Sequence, residues 1–405
     1  MGNILDYIEQ EKQSFTQYPF CAVDSLVLSQ LSYLNFDGLV PGPGEGDSIL
    51  LSQLANEKTV AAMVKGIRAP DLNTKLFWLL AESPRFQNLR LSAYINHIDE
   101  EKEEQFSAVT FLLGEDAYVA FRGTDAYYVA WKEDFNLAFI CPVPSQVEAA
   151  EYLSHTAVPV SGRLLVGGHS KGGNLAVYAS LFCTPEAQRK VDAVFSHDGP
   201  GFQPEVLETP EYLRMKERIH KTIPQSSLVG VLLQHQESYQ VIRSDSFWIM
   251  QHDPFSWVVE NGSFSYEASL TSSAAFLNRS LNEWISALSE EELSAFVDAL
   301  YKVLCSFGGE TFADLPEEWW KIVLNVLGGM KELDADTYKC ILFTVRSLVS
   351  LAIGNLPKPK VNLKLPELAL PSIPLPKRLP HPFRKHSAKI SSPIKSNNPS
   401  CVVCL

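Results

Sequence analysis

The stretch Arg163–Ser180, RLLVGGHSKGGNLAVYAS, decides the fold. The apolar run at Leu164–Val166 predicts a buried strand, two glycines interrupt it, and Asn174–Ser180 predicts an apolar helix. Ser170 lies in the interruption, inside the pattern Gly-x-Ser-x-Gly. Small residues on both sides of a serine allow the sharp turn that presents its hydroxyl in a cleft. The stretch therefore predicts a nucleophilic serine, and the alternative is a tight turn that only closes a strand-helix unit.

The composition favours a globular α/β protein. The chain has 405 residues, of which 46% are hydrophobic, and a net charge of −13. This length accommodates one large domain with an appendage, or two domains. The charge is uneven, since residues 355–405 hold nine Lys or Arg and one acid, Glu367. The acidic remainder does not suggest a nucleic-acid binder.

The cysteines and apolar segments predict a cytoplasmic protein. Seven cysteines are scattered along the chain without disulfide-framework or metal-ligand spacing over most of its length. This usage fits a reducing compartment. The acidic start of the chain does not resemble a signal peptide. The most apolar late segment, residues 340–354, is too short to span a membrane and contains Arg346, so no transmembrane helix is expected.

The first 120 residues predict helices followed by strands. Residues 1–80 have helical apolar spacing and are expected to form a helical cap or lead-in, with Asp24 as a helix cap. Three strands are predicted next, and the first two should form an antiparallel hairpin. Their predicted bounds are Leu89–Ile98, Gln105–Leu113 and Ala117–Phe121.

Four motifs together carry a family resemblance. VAFRGTD at Val119–Asp125 is followed by W-x-x-D-F at Trp131–Phe135 and, about forty residues later, by the Ser170 motif. This combination resembles the class 3 (fungal-type) lipases and their relatives. With SHDGPGF at Ser196–Phe202 and QHDPFSW at Gln251–Trp257, the chain resembles more closely the bacterial Mbeg-like family of the α/β-hydrolase superfamily. The resemblance covers roughly residues 20–270 and implies an α/β-hydrolase-like sheet with flanking helices.

The resemblance also implies an oxyanion hole. In class 3 lipases the residue after the Arg-Gly of this motif contributes to it, which is Thr124 here, through its N–H and also its hydroxyl. The second donor should be the N–H of Lys171, directly after the nucleophile, where the helix begins. One such donor lowers the activation barrier by about 3 to 4 kcal/mol. The alternative for Thr124 is a polar residue that closes a turn, and Arg122 is expected to pair with a carboxylate such as Asp134.

The third catalytic position is the least determined by the sequence. Asp198 follows the predicted strand Asp192–Ser196, at the edge where hydrolase sites are built, and it is the first acid in the chain order Ser, Asp or Glu, His. No carboxylate follows the next predicted strand, Arg218–Ile223. We therefore expect Asp198 to orient the histidine, although capping of the DGPG turn is an alternative role. The other arrangements left open are Asp253 or Asp245 as the acid, and a Ser-His dyad supported by Ser226 or Ser227.

His252 is the predicted general base. The segment Gln225–Leu233 suggests a short buried helix and Tyr239–Arg243 the last core strand, so that His252 comes after that strand. A neutral imidazole there can take the serine proton and return it to the leaving group. His235 and then His197 are the alternatives, and His169 is expected to pack or hydrogen-bond beneath the turn. No cluster has metal-site spacing, and no cofactor is expected.

The last third of the chain predicts an accessory region and a tail. Four helices are expected, at Ser272–Leu288, Glu291–Phe307, Leu315–Met330 and Asp336–Ile353. Their aromatic residues should form a helical core, with an interaction surface as the alternative; these are Trp284, Phe296, Trp319 and Trp320. Ten prolines in residues 355–405 predict a flexible basic tail. The tail is expected to be a solvated linker, or else to contact an anionic membrane surface or a protein peripherally.

The predicted organisation is an α/β-hydrolase-like domain at 1–270, a helical accessory region at 271–354 and a Pro-rich basic tail at 355–405. The predicted function is hydrolysis of a carboxylic ester, of a small molecule or of a lipid such as an acylglycerol. Ser170 attacks, His252 relays the proton and Asp198 orients His252. The N–H groups of Thr124 and Lys171 hold the oxyanion. The alternative is a catalytically weak protein that uses the hydrolase fold as a binding scaffold.

Overall fold

The structure is a computed structural model that describes residues 2–125 and 127–305. All of them belong to the first of the two units into which the chain divides, Met1–Pro357. The predicted helices Leu315–Met330 and Asp336–Ile353, the residues Trp319 and Trp320, and the predicted tail lie outside the described residues. The domain boundaries of the sequence analysis stay predictions.

Eleven strands are present in the described part of the chain. They are β1 Ile49–Leu50, β2 Arg90–Asp99, β3 Glu104–Leu113, β4 Asp116–Phe121, β5 Leu164–His169, β6 Val191–His197, β7 Ile219–Pro224, β8 Tyr239–Ile242, β9 Val259–Glu260, β10 Ser263–Phe264 and β11 Tyr266–Glu267. Nine of them form one sheet in the order β1-β2-β3-β4-β5-β6-β7-β8-β11, and β9 pairs with β10.

The centre of the sheet is parallel and its edges are antiparallel. Strands β4 to β8 run parallel, whereas β1 to β4 are antiparallel and β11 is antiparallel to β8. The predicted hairpin of β2 and β3 is confirmed. Because the carboxyl ends of β5, β6 and β8 meet at one edge, the loops that follow them come together there, as expected for a ligand site in an open α/β sheet.

Twelve helices are described. They are α1 Ile4–Gln10, α2 Ala22–Leu31, α3 Glu57–Met63, α4 Pro70–Glu82, α5 Tyr128–Asn136, α6 Pro144–Thr156, α7 Lys171–Phe182, α8 Pro185–Lys190, α9 Pro204–Leu207, α10 Pro210–Met215, α11 Ser272–Ala287 and α12 Glu290–Cys305. No helix in the described ranges is long and apolar enough to cross a membrane.

Helices cover both faces of the sheet, which confirms the predicted fold class. Along β4, Tyr118 and Ala120 join the apolar core formed with α1 to α4, whereas Val119 and Phe121 join the core on the opposite face with α6, α7 and α10. This alternation follows from the two-residue period of a strand whose two faces are both buried.

The N-terminal segment is helical, as predicted, and its helices α1 to α4 form a layer of the fold. Ser25 on α2 hydrogen-bonds the Tyr118 hydroxyl on β4 at 2.8 Å and Nε2 of His197 on β6 at 2.9 Å. Cys21 is the N-cap residue of α2, and Asp24 is the third residue of the helix, where its carboxylate takes part in the capping box. The Asp24 carboxylate accepts the Cys21 N–H and also forms a fully buried ion pair with Arg85 at 2.6 Å.

Helices α11 and α12 coincide with the first two helices predicted for the accessory region. Helix α12 packs against α5 through Lys132, whose ammonium is 2.7 Å from Asp298 and 4.8 Å from the centre of the Tyr301 ring. Phe296 is buried, in agreement with its predicted core position. The helix that follows the Thr124 loop is thereby supported by a distant part of the chain.

Candidate active site

Ser170 lies on a strained turn between β5 and α7. Its backbone has φ 59° and ψ −132°, a conformation that costs a residue with a side chain about 1 to 3 kcal/mol. A Cβ on Gly168 would lie 2.3 Å from the Gly172 carbonyl oxygen, and a Cβ on Gly172 would lie 2.1 Å from that of Phe121. Both glycines are therefore needed for this close backbone approach.

The loop that follows β4 packs directly against Ser170. A Cβ on Gly123 would be 3.1 Å from Ser170 Cβ and 2.6 Å from the His169 carbonyl oxygen. Thr124 is the next residue, and Lys171 begins α7. Among the described residues, neither the Thr124 N–H nor the Lys171 N–H has a hydrogen-bond partner. Both backbone donors of the predicted oxyanion hole are thus available beside the serine.

The Thr124 hydroxyl is committed elsewhere. It donates to Asp134 Oδ2 at 2.5 Å, so the expectation that it also serves the oxyanion is not supported by its geometry. Burial raises the pKa of Asp134 to about 6, and the Lys171 charge opposes that rise. Arg122 does not pair with Asp134 as expected. Its guanidinium contacts Asp125 Oδ2 at 3.3 Å and Asn96 Oδ1 at 2.8 Å.

His252 and Asp198 are in direct contact. His252 ends a 3-10 turn, Trp248–His252, which comes after β8, and its Nδ1 lies 2.6 Å from Asp198 Oδ2. Because a carboxylate only accepts, Nδ1 carries a proton, and in the neutral ring Nε2 is then the nitrogen with the free lone pair. Among the described residues, the Ser170 hydroxyl has no hydrogen bond to His252.

Asp198 is fully buried and its other oxygen is also satisfied. Oδ1 accepts the Ser227 hydroxyl at 2.5 Å and the Gly230 N–H at 3.0 Å. The predicted helix at Gln225–Leu233 is therefore wrong, because this segment forms turns. Its hydroxyl and N–H groups are used to hold the carboxylate, which competes with helical hydrogen bonding.

Neither of the other two candidate acids hydrogen-bonds to His252 among the described residues. Asp253 forms an ion pair with Arg68 at 3.1 Å and accepts the Phe255 N–H. Asp245 is exposed. Ser226 contacts the Thr271 hydroxyl at 3.2 Å. Of the two serines considered for a dyad, Ser227 is the one that reaches the site, and it does so through Asp198.

The alternative histidines have other partners. His197 lies within the fold, between Ser25 and the Thr222 hydroxyl at 2.8 Å, and burial lowers its pKa to about 3. The His235 ring packs edge-on against Tyr239, with ring centres 5.1 Å apart.

His169 supports His252 from beneath, as expected for a residue under the turn. Its Nε2 donates to the His252 carbonyl oxygen at 2.8 Å, Tyr33 donates to its Nδ1 at 3.2 Å, and the two imidazole rings are 4.4 Å apart. Burial, with a smaller effect of His252, lowers the pKa of His169 well below its usual range. A neutral His169 is the form that can accept from Tyr33 while it donates to His252.

The sequence analysis missed a buried ion pair below the turn. Lys171 Nζ lies 2.7 Å from Glu133 Oε2 and donates to the Gln105 carbonyl at 2.8 Å, and both charged side chains are almost fully buried. Glu133 also accepts the N–H groups of Gln105 and Ser145. A lysine at the start of an apolar helix is the available signal, because a buried lysine needs a partner.

A family model described as Mbeg1-like matches residues 80–302. The solved structures that are similar to the chain include the following two. "Crystal structure of M37 lipase" has 13% identity and a TM-score of 0.34, covering 52% of this chain and 70% of that one. "Rhizomucor miehei lipase propeptide complex, native" has 14% identity and a TM-score of 0.31, covering 48% and 66%. No curated protein matches the chain.

Proposed function

The chain belongs to the Mbeg1-like family, and we propose that it is a serine hydrolase that cleaves carboxylic esters through an acyl-enzyme on Ser170. The observation that carries the proposal is the contact of His252 Nδ1 with Asp198 Oδ2 at 2.6 Å, next to a serine on a strained strand-to-helix turn. A buried, charge-oriented imidazole beside such a serine is the arrangement that acyl transfer requires.

In the proposed reaction, His252 Nε2 removes the Ser170 proton while Ser170 Oγ bonds to the ester carbonyl carbon. The carbonyl electron pair moves onto its oxygen, where the N–H groups of Thr124 and Lys171 donate to it. Collapse of the tetrahedral intermediate breaks the bond to the alcohol, which takes the proton from His252. Water then repeats the sequence, which releases the acid and frees Ser170.

Asp198 has a positioning role in this proposal. Its carboxylate fixes the Nδ1–H tautomer of His252 and stabilises the imidazolium that forms when Nε2 is protonated. Ser227 and Gly230 hold the carboxylate in turn, so that the orientation of His252 depends on two layers of hydrogen bonds.

The acyl and alcohol groups are proposed from the resemblance to lipases. We expect a small-molecule or lipid ester, such as an acylglycerol, as the substrate. A panel of esters of graded acyl length, used at concentrations below and above the critical micelle concentration, tests the proposed lipid substrate. Activity that rises with neither chain length nor an interface would replace the lipid substrate with a short-chain ester.

A fluorophosphonate probe tests the proposal, because it phosphonylates an activated serine. We expect labelling of the full-length protein at Ser170, no labelling of Ser170→Ala, and unchanged labelling of Ser226→Ala, a matched serine that contacts Thr271. A folded wild-type protein that resists the probe would refute the hydrolase proposal.

A binding scaffold is the second candidate. The observation in its favour is that the Ser170 hydroxyl has no hydrogen bond to His252 among the described residues. Catalytic hydrogen bonds are often long in a free enzyme and shorten when substrate binds, so this observation weighs less than the His252 and Asp198 contact. The probe experiment separates the two candidates.

The cytoplasmic location inferred from the cysteines is likewise a proposal.

A further inference from the structure

Three side chains with metal-binding atoms converge between the β2–β3 hairpin and α6, and none of them belongs to the candidate active site. They are His97 near the end of β2, Glu104 at the start of β3 and Glu148 on α6. One ligand atom from each lies within 4.8 Å of the other two. His97 Nε2 is 3.0 Å from Glu148 Oε2 and 3.7 Å from Glu104 Oε2.

The fold explains why these residues meet. In the hairpin, His97 is opposite Phe106 and Asp99 is opposite Glu104, so His97 and Glu104 are diagonal neighbours on one face. Helix α6 covers that face, as shown by the edge-on contact of the Phe106 and Tyr152 rings. The three residues are 7 and 44 positions apart in the chain, and no spacing rule for metal sites joins them.

The partners of the two carboxylates among the described residues come from within the cluster itself. The Glu104 side chain is only 4% exposed. It hydrogen-bonds the Glu148 carboxyl, and no N–H or O–H donor of the described residues outside the cluster hydrogen-bonds to it. No Lys or Arg in the described ranges forms an ion pair with Glu104 or Glu148. A buried carboxylate in this position needs a cation.

We propose that His97, Glu104 and Glu148 bind a divalent transition-metal ion of the Zn²⁺ type, which joins the β2–β3 hairpin to α6. Ligand bonds of about 2.0 to 2.2 Å in a tetrahedral site place neighbouring ligand atoms about 3.3 to 3.6 Å apart. The two distances from His97 bracket that range. An imidazole with two carboxylates suits Zn²⁺ and its first-row neighbours, whereas Ca²⁺ and Mg²⁺ prefer oxygen ligands alone.

The ion would have a structural role. Glu104 precedes Gln105, whose carbonyl accepts a hydrogen bond from the Lys171 ammonium at 2.8 Å. The ion would therefore fix the start of β3, which contacts the first residue of α7. The binding proposal itself uses no residue of the ester hydrolysis mechanism, and it stands or fails independently of that mechanism.

Calorimetric titration of the full-length protein with ZnCl₂, after removal of metal by a chelator and dialysis, tests the site. We expect one Zn²⁺ site that weakens by about 10- to 100-fold or more in His97→Asn and in Glu148→Gln. Glu151→Gln is the matched control, since it removes an exposed carboxylate from the same helix and should keep the site. CaCl₂ and MgCl₂ should bind far more weakly.

Thermal unfolding gives a second readout. Zn²⁺ should raise the Tm of the wild type and of Glu151→Gln but not that of His97→Asn, because a ligand stabilises only the state that binds it. His97 is partly exposed, so this substitution leaves the core intact. Equal Zn²⁺ affinity in the wild type and His97→Asn would overturn the proposal. Calcium affinity equal to zinc affinity would overturn the transition-metal assignment.

Discussion

Replacing Asp198 with Asn tests the positioning role of this carboxylate, and the structure dictates how the new amide lies. Oδ1 of Asp198 accepts two donors, the Ser227 hydroxyl and the Gly230 N–H, so the amide oxygen of Asn should take that position. The opposite orientation would place the amide NH₂ against the buried Gly230 N–H, which would keep only the Ser227 Oγ as its acceptor, and would lose a buried hydrogen bond at a cost of about 1 kcal/mol. The amide NH₂ group is therefore expected to face His252.

An NH₂ group at that place reverses the tautomer of His252. Nδ1 would have to accept, so the proton would move to Nε2, the nitrogen that must receive the Ser170 proton. We expect kcat to fall by about 10⁴-fold, which corresponds to about 5.4 kcal/mol of transition-state stabilisation. The measurement is steady-state hydrolysis of a p-nitrophenyl ester, together with circular dichroism to verify folding.

Asp253→Asn is the matched control for this substitution. Asp253 is the next residue after His252 but pairs with Arg68, so its loss should change kcat by only a few-fold. Folded Asp198→Asn with a kcat within tenfold of the wild type would refute the positioning role. An equal fall in both variants would show instead that the loop after His252 is sensitive to any loss of charge.

Two further predictions concern stability. Lys171→Met should lower the free energy of unfolding by about 3 to 5 kcal/mol, because it leaves the buried Glu133 charge without its ion-pair partner. Urea unfolding measures the change, and an additional Glu133→Gln substitution should restore part of the lost free energy of unfolding. An unchanged free energy of unfolding in Lys171→Met would contradict a stabilising role of the Lys171–Glu133 ion pair. For His197, the pKa is about 3 in the folded state against an ordinary value of 6.5. The unfolded state therefore binds the extra proton as pH falls below 6.5, and stability drops by about 1.4 kcal/mol per pH unit. The free energy of unfolding, measured between pH 6.5 and 4.5, should depend less steeply on pH in His197→Gln, by this amount. The exposed His155→Gln is the control and should keep the slope of the wild type. An unchanged slope in His197→Gln would refute the lowered pKa of His197.

The sequence was sufficient for the strand, the turn and the helix around Ser170, because each rests on local chemistry. An apolar run predicts the strand, and the glycines at 168 and 172 leave room where the structure has contacts that a Cβ would block. The order of strands along the chain was also readable, so that Asp198 and His252 could be placed at strand ends. Their mutual contact was expected, but the sequence left Asp253, Asp245 and a Ser-His dyad open, since the contact depends on how the turn Trp248–His252 crosses back to the end of β6.

The wrong predictions for Gln225–Leu233 and Arg122 share one physical cause. A polar side chain has several possible partners in the sequence, and the three-dimensional packing determines which one it contacts. Gln225–Leu233 has the composition of a short helix, but Ser227 and Gly230 bind Asp198 instead. Arg122 could have paired with Asp134, but Thr124 takes that carboxylate and Asp125 is three residues from the arginine. Local pattern predicts which groups need a partner, and packing decides which partner each receives.

The ion pair of Lys171 and Glu133 bears on the proposed oxyanion hole. In the proposed mechanism, negative charge develops beside the Lys171 N–H, at the N-terminus of α7. An uncompensated Glu133 carboxylate buried below the same turn would repel that charge, and in a site of low dielectric the repulsion is weakly screened. The Lys171 ammonium, 2.7 Å from Glu133, cancels it. One residue would then serve the oxyanion twice, with its backbone as a donor and with its side chain as the counter-ion of the acid beneath.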